Sequence, residues 1–323
     1  MNYNEPSIKK KREEVFSKKK RKQTTASAIV FRIVLILICA VIVSGAGLLY
    51  GSFRGIIASA PKDFSLAPKY SATIVYDDDN KQVQQLSDYS SNRIPVAYEQ
   101  IPDNLKNAFI SIEDERFYEH DGIDFKGILR ALWTDIQNGS TSQGASTLTQ
   151  QLIKNNVFEA GGETNIIAKV KRKIQEQYLA IIAEKKYNKE DILTNYLNTI
   201  NLGKGNLGVE AASKYYFGKS VNELTLSECA VLAGITKNPT FLNPVDYPED
   251  NDARRKLILK KMYQLNYISD KEYQSALEDK VYARIANKTA KGRKNSVYSY
   301  FTDAVITKVV SDLQEQKGYT QSQ

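Results

Sequence analysis

Histidine occurs once and cysteine twice in 323 residues, which leaves little from which to build a metal centre or a disulfide framework. Cys39 lies inside an apolar run and Cys229 in a segment that reads as a buried helix, so no bridge between them is expected and the redox compartment is not legible from them. No internal repeat is visible. Net positive charge is scarce outside one tail: residues 1 to 32 hold ten Lys or Arg against three Glu, a surplus of seven out of a net +8 for the chain. A uniformly basic surface would point to nucleic acid, whereas a basic tail beside an apolar run points to a membrane surface. What remains, with 42% hydrophobic and 25% charged residues, is enough for a buried core in one large or two small domains.

The apolar run Ile33 to Tyr50 contains eighteen residues without a charge, about the minimum for a spanning helix, and Arg32 can snorkel to extend it. Lys and Arg crowd its upstream flank while only Arg54 follows closely, which places the N-terminus in the cytoplasm and the rest outside the cell membrane. A cleaved signal peptide is the alternative, because Ala58-Ser59-Ala60 resembles a cleavage site. Pro61 directly after it and the length of the run disfavour cutting.

Beyond the anchor, a membrane-proximal linker over 51–89 contains a small hairpin at 71–88, where TIVY and KQVQQL flank the turn-forming Asp77 to Asn80. Helices dominate from there. They are expected from Asp103 through Phe117, from Asp124 to a stop at Gly139, after a Ser146 or Thr147 cap, and over Ile166 to Lys186. Further helical patterns cover 189–200, 208–217, 225–235, 250–265 and 296–315, the last beyond an aperiodic stretch near 286–295. In the 166–186 helix the apolar stripe is Ile167, Val170, Ile174, Tyr178 and Ile181, with Lys169, Arg172, Lys173 and Glu176 on another face.

Three polar clusters have chemical content. Glu113 and Asp114 end an apolar helix beside the sole histidine, His120; a carboxylate at such a mouth can act as general base, or it can be a solvated helix end. The lone histidine reads better as a packing or hydrogen-bonding residue than as a base or ligand. Gly144 to Lys154 combines hydroxyl caps with free N–H groups at a helix start, which suits a phosphate or diphosphate and equally fits an ordinary capped helix. The Lys169 to Glu176 face offers three cations and one carboxylate, able to hold a diphosphate and a divalent metal. Its structural alternative is pairing of Arg172 with Glu176, in the less favourable i,i+4 order.

Taken in order, these segments resemble the five motifs of the peptidoglycan glycosyltransferase domain of class A penicillin-binding proteins and monofunctional transglycosylases. Glu113, Asp114, Phe117, His120 and Gly122 match the first; Gly144, Ser146, Thr147, Thr149, Gln150 and Gln151 the second; Arg172, Lys173 and Glu176 the third. KEDILTNYLN, with Asn198, resembles the fourth and RRKLIL, opening on Arg254, the fifth. Thr194 stands where the family pattern has Glu.

The resemblance implies a mainly α, lysozyme-like, two-lobed glycosyltransferase domain over about 90–280, with 281–323 similar to the linker that leads into a transpeptidase domain. By similarity, Glu113 is the base that activates the 4-hydroxyl of lipid II against the growing diphosphate-linked chain, with inversion to a β-1,4 linkage. Glu176 is the second catalytic carboxylate and holds a divalent metal, most simply Mg2+. Asp114, Ser146, Thr147, Gln150, Gln151, Lys154, Arg172 and Lys173 contact substrate, while Phe117, His120, Gly122, Asn198 and Arg254 are structural. The glycine-bearing loop at 155–165 would open and close over the donor.

The implied partners are lipid II, the lipid-linked glycan, the membrane and other wall-synthesis proteins, with no nucleic acid. Two other functions fit parts of the pattern: a glycan hydrolase, which would not need the basic motifs, and a non-catalytic precursor-binding scaffold, for which Thr194 would be the sign. Ser-x-x-Lys occurs at Ser7 and Ser17 in the basic tail and at Ser59 beside the anchor, and the sequence has no Lys-Thr-Gly, so peptide cross-linking is not expected.

Overall fold

A computed structural model describes residues 5–68, 73–79, 82–86, 92–138, 144, 146–158, 165–286 and 300–317. The chain divides into two compact units, Met1–Ala60 and Pro61–Gln323. The first is one helix, α1 (Glu5–Ala58), whose apolar part, Phe31–Ala58, contains an 18-residue window with a mean hydropathy of 2.7. At about 1.5 Å per residue that apolar part is long enough to cross a bilayer, and it runs further than the eighteen uncharged residues alone suggest.

The second unit is mainly helical; among the described residues its only sheet is the expected hairpin, β1 (Thr73–Tyr76) against β2 (Gln82–Leu86). The Asp77 carboxylate accepts from the Asp79 N–H at 3.1 Å, the local bond by which Asp favours a turn.

Two groups of helices position the site. In one, α2 (Asp103–Glu113), α8 (Leu226–Ile235) and α9 (Pro248–Gln264) pack on each other. α8 is buried from Ser227 to Ile235, so its sequence is apolar all round and carries no amphipathic stripe. Its start is fixed by a capping box between Thr225 and Glu228. In the other group, α4 (Leu148–Asn156) packs against α5 (Ile166–Lys186) and α6 (Lys189–Leu197). Phe109 of α2 meets Tyr196 of α6 edge to face, with ring centroids 6.1 Å apart, and joins the groups. The remaining helices are α3 (Phe125–Asn138), α7 (Val209–Phe217), α10 (Asp270–Glu278) and α11 (Tyr300–Lys317).

Three details differ from expectation. α2 ends at Glu113 instead of running to Phe117, because Asp114 leaves the helical region at φ −158° and turns its carboxylate to other partners. The stripe expected to bury α5 does not do so at its start: Ile167 is 76% and Val170 53% exposed, while Gln175, Glu176, Leu179, Ala180 and Ala183 face inward. α10 was not anticipated, although Ser269 and Glu272 form the S-x-x-E box that opens it. Gly139 and most of the 155–165 loop (159–164) lie outside the described residues, as does 287–299 ahead of α11.

Candidate active site

A cleft of about 880 Å³ opens where the C-terminal ends of α2 and α8 meet α4, α5 and α9. Eleven of the residues singled out in the sequence line it: Glu113, Asp114, Gly144, Ser146, Gln150, Gln151, Lys154, Arg172, Lys173, Glu176 and Arg254.

Glu113, the last residue of α2, is half-buried with both oxygens engaged. Gln151 Nε2 donates to Oε2 at 2.9 Å and Thr236 Oγ1 donates to Oε1 at 2.5 Å. Gln151 Oε1 in turn accepts from the Tyr196 hydroxyl at 3.3 Å. Burial, with the charges of Glu113 and Asp114 nearby, raises the Tyr196 phenol well above its ordinary value and keeps it a donor. Gln151, expected to contact substrate, lines the cleft and bonds both the carboxylate and Tyr196.

Asp114 is buried and acts as a junction. It accepts from the Leu148 N–H at 3.0 Å, and His120 Nε2 lies 3.0 Å from both its oxygens. His120 is therefore a loop-fixing residue, with Nδ1 accepting from the Gly122 N–H at 3.2 Å. Gly122 has φ +90°, and its carbonyl accepts from Thr147 Oγ1 at 2.8 Å and Gln150 Nε2 at 3.1 Å. Thr147 also caps α4 by accepting from the Gln150 N–H, so its hydroxyl is used up inside the protein and lies outside the cleft lining. Phe117 is fully buried, and Lys189 Nζ sits 4.5 Å above its ring. Asn198 straps the 92–97 segment through paired bonds with Val96 at 2.9 and 3.0 Å.

The cationic end of the cleft is built on α4 and α5. Glu176 is 1% exposed; Arg172 Nη1 bonds its Oε1, and Lys173 Nζ lies 3.3 Å from its Oε2. Lys173 also donates to Ser146 Oγ at 2.6 Å and to Gln150 Oε1 at 3.4 Å. Lys154 is exposed at the same end, whereas Lys169 is not part of the lining.

Other lining residues were not anticipated: Glu115, Arg130, Thr134, Thr236, Lys237, Leu257 and Lys261. Arg254, Leu257 and Lys261 stand at i, i+3 and i+7 on α9, a spacing that puts them on one face and was available in the sequence. Arg254, expected to be structural, lines the cleft. Burial lowers its guanidinium from the ordinary value against the pull of Glu113, and its Nε has no hydrogen-bond partner. The structural arginine is the next one, Arg255, buried with Nη1 donating to the Ala276 carbonyl at 2.6 Å. Glu115 bridges Arg116, Arg130 and Lys261; burial alone would raise its carboxyl, but these cations, Arg130 foremost, hold it below the ordinary value. Thr194 is absent from the lining, its hydroxyl donating to the Glu190 carbonyl on its own helix.

The sequence pattern that defines the transglycosylase family matches residues 79–263, more than half of the chain. The chain belongs to the transglycosylase family. Penicillin-binding protein 1A of Clostridium tetani is 44% identical over 253 residues, covering 75% of this chain and 31% of that protein. The protein of the same name from Haemophilus influenzae is 41% identical over 246 residues, covering 76% and 27%. A crystal structure of penicillin-binding protein 1A from Haemophilus influenzae aligns at 27% identity with a TM-score of 0.38, over 78% of this chain and 26% of that one. This transglycosylase-family chain therefore spans about three tenths of the length of the curated relatives it matches.

Proposed function

We propose that this protein polymerises lipid II into β-1,4-linked glycan strands of peptidoglycan, releasing polyprenyl diphosphate. The observation that carries the reading is one oriented carboxylate, Glu113, in the same cleft as a cationic end formed by Lys154, Arg172 and Lys173. Glu113 takes the proton of the acceptor's 4-hydroxyl as that oxygen bonds to the donor's anomeric carbon and the bond to the diphosphate breaks with inversion. Negative charge grows on the leaving diphosphate, where Lys154, Arg172 and Lys173 stabilise it. Asp114, through Leu148 and His120, holds the segments that carry these groups.

A divalent cation, most simply magnesium, stays in the proposal as an ion that accompanies the diphosphate. Among the described residues that line the cleft, its cationic end offers one carboxylate, Glu176, already paired with two cations, and the described residues hold no cluster of three His, Cys, Asp or Glu that could hold a metal ion. That set does not fit a resident metal site, and no step above passes through a metal. Chelation with EDTA would lower the rate and added Mg2+ restore it.

The membrane reading is supported by the Phe31–Ala58 helix and, independently, by an exposed apolar face of α3 bearing Phe125, Leu129, Trp133 and Ile136. The basic tail supports a cytoplasmic N-terminus and an extracytoplasmic cleft. A glycan hydrolase would leave the cationic end without a role, and Thr194, the feature that favoured a scaffold, lies outside the cleft lining. The deciding experiment is lipid II polymerisation by purified protein in detergent with magnesium, native chain against Glu113→Gln. Polymer from the native chain alone supports the proposal; equal polymer from both, or glycan cleavage in its place, overturns it.

A further inference from the structure

Thr236 belongs to no motif noted in the sequence, yet it makes the shortest hydrogen bond to Glu113. It is the C-cap of α8, 123 residues further along the chain, and its hydroxyl is within bonding distance of two acceptors. One is Glu113 Oε1 at 2.5 Å; the other is the Ala233 carbonyl one turn back on α8 at 2.9 Å. A hydroxyl has a single proton and donates it to one acceptor at a time. An ionised carboxylate is the stronger acceptor, and 2.5 Å falls in the charge-assisted range. A neutral carboxylic acid is the weaker one, and the Ala233 carbonyl then takes the proton by rotation about one bond. Gln151 cannot make this change, since its Nε2 is a donor only and its Oε1 is held by Tyr196.

We propose that Thr236 is a positioning residue for Glu113, its hydroxyl a rotor that fixes the ionised base and releases it once the base is protonated. Thr236 neither gains nor loses a proton: the proton taken by Glu113 comes from the acceptor hydroxyl, and only the direction of the Thr236 O–H changes. Before transfer, Thr236 and Gln151 each pin one carboxylate oxygen and so fix the plane of the group toward the cleft. After transfer, Oε1 is relieved of a donor it can no longer bind well, while Ala233 keeps the hydroxyl satisfied.

The inference rests on Glu113 being the base of the proposed polymerisation, and the experiment separates the two. Lipid II polymerisation is measured with the full chain in detergent for native, Glu113→Gln, Thr236→Val and Thr236→Ser, with thermal unfolding of each. Valine keeps the shape and lacks the hydroxyl; serine keeps the hydroxyl. Thr236→Val is expected to lower kcat by about tenfold or more with KM within about twofold of native, the signature of a lost orienting bond to a charged group. Thr236→Ser recovers most of kcat. Native kcat in Thr236→Val overturns the inference, as does a rise in KM alone, which would make Thr236 a substrate contact. An equal loss in both variants with a lowered melting temperature also overturns it, as a packing effect. Polymer from Glu113→Gln at the native rate, or none from the native chain, removes the proposed function itself and with it the role of Thr236.

Discussion

Gly122→Ala is the substitution whose cost can be worked most directly from the structure. Gly122 has φ +90°, and a Cβ built there would lie 2.7 Å from the carbonyl carbon and oxygen of Ala180 and 2.9 Å from the Ile181 nitrogen. These are backbone atoms of α5, which cannot rotate aside. Two costs add: about 1–2 kcal/mol for a side chain in left-handed backbone, and about 1–3 kcal/mol for forcing atoms into a filled space. A total of about 3 kcal/mol, near the middle of the sum, lowers the melting temperature by about 6–12 °C for a unit of this size.

Gly218→Ala separates the two costs, because Gly218 has φ +69° but its Cβ would meet only Ala286 Cβ at 3.9 Å. That variant is expected to lose about 1 kcal/mol, or about 2–4 °C. The clash at Gly122 also has a functional reach. Its carbonyl holds Thr147 and Gln150, and Ala180 lies one turn from Glu176, so a shift of about 1 Å displaces both ends of the cleft and costs roughly a hundredfold in turnover. Thermal unfolding and lipid II polymerisation of both variants test this. Equal melting temperatures for the two would refute the argument from packing.

Asp114→Ala leaves the buried Leu148 N–H and His120 Nε2 without their acceptor and is expected to cost about 3 kcal/mol, read by thermal unfolding. Lys173→Met removes contacts with Ser146, Gln150 and Glu176 at the cationic end; polymerisation is expected to fall about a hundredfold with little change in melting temperature. Glu228 predicts a pH dependence. Burial alone would raise its carboxyl, but Lys219 at 2.7 Å, the Thr225 N–H at 2.8 Å and Arg284 at 2.9 Å hold it below the ordinary value of 4.5. A depressed value means stability present above pH 4.5 and lost as pH falls through the folded-state value. Glu228→Gln is therefore expected to be less stable than native by about 2 kcal/mol near neutral pH, with the gap closing in acid.

Asn165 opens α5 and Thr225 opens α8, and both elements lie where the pattern placed them, whereas α10 was missed despite its Ser269 cap. The end of α2 was not legible from the sequence, since it is set by Asp114 reaching for Leu148, 34 residues away, a partner that local pattern does not reveal. Periodicity also misassigned the face of α5. Its inward face near the cleft is polar, Gln175 and Glu176, because a buried carboxylate there is paired with Arg172 and Lys173. The types of residue at the site were readable as acids, hydroxyls and cations in short segments. Their division of labour was not: Thr147, read as a substrate contact, makes its bonds within the protein, and Thr236 enters the cleft from a segment with no chemical signature of its own.

Glu113 is the final residue of a helix whose Leu105, Ala108, Phe109 and Ile110 are wholly buried. Phe109 lies one turn before it. That carboxylate is thus mounted on a helix anchored in the core, and disturbances of the core arrive at it as displacement. Trimming Phe109 would move the carboxylate before it melted the fold, so α2 is where alleles that permit growth in the cold and fail in the heat are expected to gather.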